Sequence, residues 1–161
     1  MELNSLKRVI DAGCSQKSLV PFQESIESYL NFLKRVVSEN NFEKSKCKFF
    51  KETDRLLENA EDFALMQKNK KSILLIKEYF REKINPWVTK GLIVKRGYEK
   101  PRGYPGDYLT LEMIYDFKNL SSDVLGRLID QYLLEDLYVV AIRNRKRSEE
   151  HTSELQSRQS I

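Results

Sequence analysis

Apolar residues recur along this chain at steps of three and four, the spacing of one helical stripe. Over 21–39 they are Phe22, Ile26, Tyr29, Leu30, Leu33, Val36 and Val37. Pro21 suits the first turn of that helix, where its missing N–H costs nothing. Asn40-Asn41 reads as a break. A second helix is predicted over about 42–66, carrying Phe49, Phe50, Leu56, Leu57, Ala60, Phe63 and Ala64. The polar run Gln67-Lys68-Asn69-Lys70 makes a hinge. A third helix follows over 72–84, with Ile73, Ile76, Phe80 and Ile84 on one face. Asn85-Pro86 should end it, because a residue before proline avoids the helical region, and Trp87 and Val88 should pack back on the bundle.

From 90 to 107 the pattern changes. Four of the six glycines and two of the four prolines fall there, which predicts one long irregular loop. Gly91-Leu92-Ile93-Val94 is the best strand candidate in the chain, and it is short. Helical spacing resumes at 108–115 with Leu111, Ile114 and Tyr115, and Phe117-Lys118-Asn119 links onward. Ser121 or Ser122 can cap the next helix, which holds Val124, Leu125, Leu128, Ile129 and Tyr132. A last helix from about Glu135 should turn Leu137, Val140 and Ala141 inward. The expected fold is all-α. An antiparallel helical bundle occupies 1–89, and a loop with short capping helices occupies 90–146, with no α/β cofactor domain.

Composition agrees with a globular chain: 40% hydrophobic and 32% charged residues. No apolar run, Ile73 to Ile76 included, approaches the roughly 20 residues a bilayer requires, so no membrane span is expected. Cys14 and Cys47 have neither metal nor redox spacing and no export signal precedes them, which suggests a reducing, cytoplasmic setting. The net charge of +4 raises nucleic acid as a partner. The lysines, however, are dispersed (Lys44, Lys46, Lys48 and Lys51; Lys68, Lys70 and Lys71) among acidic residues, the pattern of a solvated helix face.

The tail, Arg147 to Ser157, has another origin. Back-translated in one frame, its eleven codons match a widely used sequencing-library adapter. Residues 147–161 are therefore expected to be non-native, and His151, the single histidine, falls among them. On this reading the natural chain continues past 146.

One segment could carry chemistry: Lys100-Pro101-Arg102-Gly103-Tyr104-Pro105-Gly106-Asp107-Tyr108. Read locally, Tyr104 to Asp107 is a type II turn, with proline presetting φ, glycine taking the positive φ that follows, and Asp107 capping the next helix. That reading leaves Arg102 and the flanking tyrosines unused. An arginine is a bidentate fork for a carboxylate, and tyrosines offer flat walls and hydroxyl donors. Both readings stand on the residues alone.

The same string, followed by Met113-Ile114-Tyr115, resembles the segment before the cofactor domain in a family of bacterial class I S-adenosylmethionine-dependent methyltransferases, similar to the makers of hydroxy fatty acid methyl esters. The family pattern is Pro-Arg-Gly-Tyr-Ala-Gly-Asp-Tyr; Pro105 replaces the alanine and fits the same turn. Val140 to Arg145 looks like the family's last helix before the first strand. The resemblance implies a lid over cofactor or substrate, with Arg102, Tyr104, Asp107 and Tyr108 contributing and Gly103 and Gly106 shaping the loop. Arg143 and Arg145 would meet the cofactor's carboxylate; read without the resemblance, they are cations favouring a helix C-terminus.

The Gly-rich turn that binds such a cofactor is absent from this sequence. The expectation is thus a parent enzyme using S-adenosylmethionine on a small-molecule acceptor, a fatty or hydroxy acid in the resembling enzymes, and an inactive fragment with no catalytic or metal-ligating residue of its own. The alternative is a helical interaction or regulatory module. Oligomeric state is not legible. If a cofactor domain belongs on the second group of helices, an apolar face around Leu128, Ile129, Tyr132 and Val140 should be exposed.

Overall fold

The computed structural model describes residues 2–11, 16–67, 69–103, 108–116, 121–146 and 148. Among them there are helices and no strand, so the protein is all-α. The chain divides into two compact units, Met1–Val88 and Thr89–Ile161.

The first unit contains α1 (Glu2–Asp11), α2 (Gln16–Glu39), α3 (Phe42–Leu65) and α4 (Lys70–Val88). Only Asn40 and Asn41 join α2 to α3, a connection short enough to make them antiparallel neighbours. Asn40 takes a left-handed φ of 45°, which asparagine tolerates, and Asn41 caps α3 by accepting the Lys44 N–H at 3.0 Å. The three long helices bury Phe22, Ile26, Tyr29, Leu33 and Val36 against Phe49, Leu56 and Phe63 and against Ile76, Tyr79 and Ile84. The Phe22 and Phe63 rings stack at 4.5 Å between centroids. Val37 and Leu57, both expected on the buried stripes, are instead exposed, because each lies at the edge of its stripe. α1 packs on α4, with Val9 buried and Arg8 within 3.5 Å of Glu78.

Three boundaries differ from the expected ones. α2 starts at Gln16, so Pro21 lies inside it rather than at its first turn. The proline forfeits one ladder bond, and the helix is retained because the added turn buries Leu19. α4 starts at Lys70 rather than Ser72, because the Asn69 side chain accepts the Lys71 N–H at 2.9 Å. It also runs through Pro86 to Val88, so Trp87 and Val88 belong to its last turn, where they are half-buried. Proline there removes one bond close to a helix end, and the buried Ile84 holds the turn in place.

The second unit contains α5 (Leu92–Glu99), α6 (Tyr108–Asp116), α7 (Val124–Glu135) and α8 (137–146). Its core joins Ile93 of α5, Ile114 of α6, Leu134 of α7 and Val139 of α8. The long loop expected over 90–107 is interrupted by α5, and the strand candidate at 91–94 is the start of that helix. Burial of Ile93 and a left-handed C-cap at Lys100, φ 48°, let eight residues stand as a helix despite the glycines. Asp123, rather than Ser121 or Ser122, caps α7, accepting the Gly126 N–H at 2.9 Å. On α8 the inward residue is Val139; Leu137 and Ala141 are exposed. The expected exposed face is not there either: Leu128 and Ile129 are buried, and Tyr132 and Val140 are half-buried. Phe117 to Asn119 and most of the tail, His151 included, lie outside the described residues.

Candidate functional site

Lys100 to Gly103 forms a turn closed by the Gly103 N–H on the Lys100 carbonyl at 2.8 Å. Gly103 sits at φ 85°, a conformation that strains any side-chain-bearing residue. This turn lies earlier than the one expected at 104–107; Tyr104, Gly106 and Asp107 lie outside the described residues. Arg102 reaches forward to the start of α6. Its guanidinium carbon lies 4.3 Å from the Tyr108 ring centroid, and Nη2 donates to the Tyr108 hydroxyl at 3.1 Å. Both side chains are exposed, so a ligand can reach them.

Arg143 and Arg145 occupy α8 two positions apart, which places them on different faces of the helix. Arg143 is half-buried, with its Nη1 enclosed by the fold, and Arg145 is exposed. One carboxylate therefore cannot be gripped by both from a common face. A third cation on α8, Lys146, lies over the Tyr115 ring at 4.4 Å.

The most highly organised polar cluster in the second unit is one that sequence reasoning missed. Asp130 is fully buried on α7. Its carboxylate accepts the Ile93 N–H and the Ser121 N–H, each at 3.2 Å, and the Ser121 hydroxyl at 2.5 Å. A serine hydroxyl has one proton; with that proton given to Asp130, Ser121 Oγ accepts the Leu92 N–H at 3.1 Å. One carboxylate and one hydroxyl thus satisfy two of the open N–H groups at the start of α5, those of Leu92 and Ile93, where an anion is favoured. The close approach requires two glycines. A Cβ on Gly91 would meet Ile129 Cγ2 at 2.5 Å, and one on Gly126 would meet the Lys90 carbonyl at 2.6 Å. The cluster is fully engaged internally, so it builds the unit and offers nothing to a ligand. Its signal in the sequence was an aspartate set between Ile129 and Leu133 on an otherwise apolar helix face, one turn after a glycine.

In the first unit, a polar cleft of about 290 Å³ opens between α2 and α3, lined by Glu24, Ser28, Tyr29, Glu52, Arg55 and Asn59 among others. Thr53 gives its proton to the Phe49 carbonyl at 2.7 Å, so the Tyr29 hydroxyl donates to Thr53 Oγ1 at 2.8 Å. Burial pushes the Tyr29 phenol up to about 12, against the opposing effect of its bond to Thr53, so it stays neutral at physiological pH. Further along α3, Lys46 and Lys48 lie over the Phe50 and Phe32 rings, each at 5.6 Å, and Lys44 pairs with Glu39 at 3.1 Å. Cys47 is exposed, and Cys14 lies outside the described residues. Among the described residues no group of three or more His, Cys, Asp or Glu side chains is placed to hold a metal. Nor is any helix long and apolar enough to cross a membrane.

The class these features define is an all-α protein of two helical units, the first a bundle of long helices and the second a set of short ones tied by a buried aspartate. No protein-family model, curated protein or solved structure matches the chain.

Proposed function

We propose that this chain is the N-terminal helical part of an S-adenosylmethionine-dependent methyltransferase acting on a small molecule, and that the fragment is inactive alone. The observation that carries the reading is the string at 100–108, with Arg102 stacked on Tyr108 in the open rather than packed inside. An exposed guanidinium over an aromatic ring, with one donor on the Tyr108 hydroxyl, keeps its other donors available for a carboxylate, as a lid over cofactor or acceptor requires. Leu137 and Tyr138 support the same reading. They are 83% and 84% exposed on a short helix, a place where a following domain can pack.

The test is the natural reading frame beyond codon 146. A β-strand followed by a Gly-rich turn is the expected result. Isothermal titration of that longer protein with S-adenosylmethionine should give heat, weakened by Arg102→Ala. A frame that ends without such a turn, or a longer protein giving no heat, sinks the proposal.

A second reading, a helical interaction module of a cytoplasmic protein, is favoured by the exposed apolar residues on α3 and α4, Leu57, Leu65 and Leu74. It expects the titration to be silent and a protein partner to bind the first unit.

A further inference from the structure

The outer face of the α3–α4 pair carries an apolar groove. It encloses about 520 Å³ between Leu57, Ala64 and Leu65 on α3 and Ile73 and Phe80 on α4. Leu65 is 75% exposed and Leu74, beside the groove, 68%. A cluster of this kind marks a surface that another chain covers.

The charges along its walls say which chain. Glu61 on α3 and Lys77 on α4 line the groove; Glu58 lies one helical turn from Glu61, Arg81 one turn and Lys70 two turns from Lys77, and all five are exposed. One wall is thus acidic and the other basic. Glu58 and Lys77 lie equally far from the hinge at 66–69 on their respective helices.

We infer that the α3–α4 face is a homodimer interface whose two-fold axis runs along the groove, parallel to the helices. That axis lays α3 of one copy over α4 of the other while preserving height along the helices. The acidic wall then meets the basic wall twice, and Glu58 comes level with Lys77 of the partner subunit. A two-fold across the helices would instead set α3 on α3 and acid on acid, so the charge pattern selects a single arrangement. The interface is isologous and closes at two copies, so it does not propagate into a filament. Complementary walls supply register and orientation, while the buried leucines supply most of the affinity.

Sedimentation equilibrium of the full chain over a concentration series tests this. The wild type should pass from the mass of one chain to that of two, with association weakened by salt. Leu65→Lys with Leu74→Lys should weaken it by about 30-fold or more, the scale of losing a buried interface anchor. Glu58→Lys with Glu61→Lys makes both walls basic, and Lys77→Glu with Arg81→Glu makes both acidic. Each of these variants should be monomeric alone, and an equimolar mixture should restore the dimer. All these positions are exposed, so the monomer fold should be retained, as far-ultraviolet circular dichroism will check. A wild type that stays monomeric to millimolar concentration overturns the inference. So does a dimer insensitive to the leucine changes, or a mixture of the charge-reversed chains that does not associate.

Discussion

The two units are held together by different means. The first consists of three long helices and a short one, whose stripes interdigitate through aromatic and aliphatic side chains, with Phe22, Phe63 and Tyr79 at the centre. Its polar interactions include the Asn41 cap, the exposed Lys44–Glu39 pair and the Tyr29–Thr53 bond between α2 and α3. The second has helices of 8 to 12 residues in α5, α6 and α7, too short to be stable alone. It compensates with a buried carboxylate that receives three hydrogen bonds from two separate segments. Long helices tolerate a proline at Pro21 or Pro86 because many neighbouring contacts remain. The short-helix unit requires glycine at Gly91 and Gly126, because its segments meet backbone to side chain.

This contrast can be broken from either side. In the first unit the largest expected effect is that of Phe63→Ala, which removes a ring stacked in the core and should cost about 3–5 kcal/mol of stability in urea unfolding. Hydrogen exchange at α7 should change little if the two units unfold separately. In the second unit, Asp130→Ala should cost about 3 kcal/mol, because it strands the Ile93 and Ser121 N–H groups in a buried place. Gly126→Ala should act in the same direction through its clash with the Lys90 carbonyl. Loss of exchange protection at the start of α5 is the diagnostic readout. If both changes leave α5 protected, the polar cluster does not organise the unit.

Tyr29 sharpens the comparison through pH. Its folded pKa, about 12, lies above the ordinary value of 10 because burial disfavours the phenolate. The stabilisation that follows is present in full below pH 10 and is lost as pH rises from 10 through 12. Over that window the wild type should lose up to about 2–3 kcal/mol more than Tyr29→Phe, read from paired denaturation curves. Asn41→Ala should cost about 1 kcal/mol by uncapping α3. The smallest effect belongs to Arg102→Ala. A cation over a ring at an exposed site contributes about 0.5–1 kcal/mol, so the melting temperature should hardly move. A large loss there would make Arg102 a structural residue and remove its availability as a ligand group.

Much of the first unit was legible in the residues themselves. Stripes at Phe22 to Val36, Phe49 to Phe63 and Ile73 to Ile84 are long enough for their period to be unambiguous, and Asn40-Asn41 announced the turn chemically. The candidate site was less legible. The string at 100–108 pointed to a turn at 104–107, which lies outside the described residues; the turn that is described closes at Gly103, a position the sequence reading gave only a loop-shaping part. The resemblance set Arg143 and Arg145 near the cofactor's carboxylate; on α8 they stand two positions apart, on different faces of the helix.

What the sequence by itself determined is the helical class and the course of the long helices, because amphipathic periodicity over five or six turns has a single physical solution. Tertiary structure alone decided three things. Residues 92–99 became helical because Ile93 found a place in a core and Asp130 was there to receive its N–H. α8 turned Val139 inward rather than Leu137 because the Ile93, Ile114 and Leu134 side chains left room at that angle. Ser121 became a buried bridge rather than a cap because Lys90, Leu92 and Asp130 converge on it. The hydrogen bonds behind the first and third of these span 9 to 37 residues, a separation no local pattern carries.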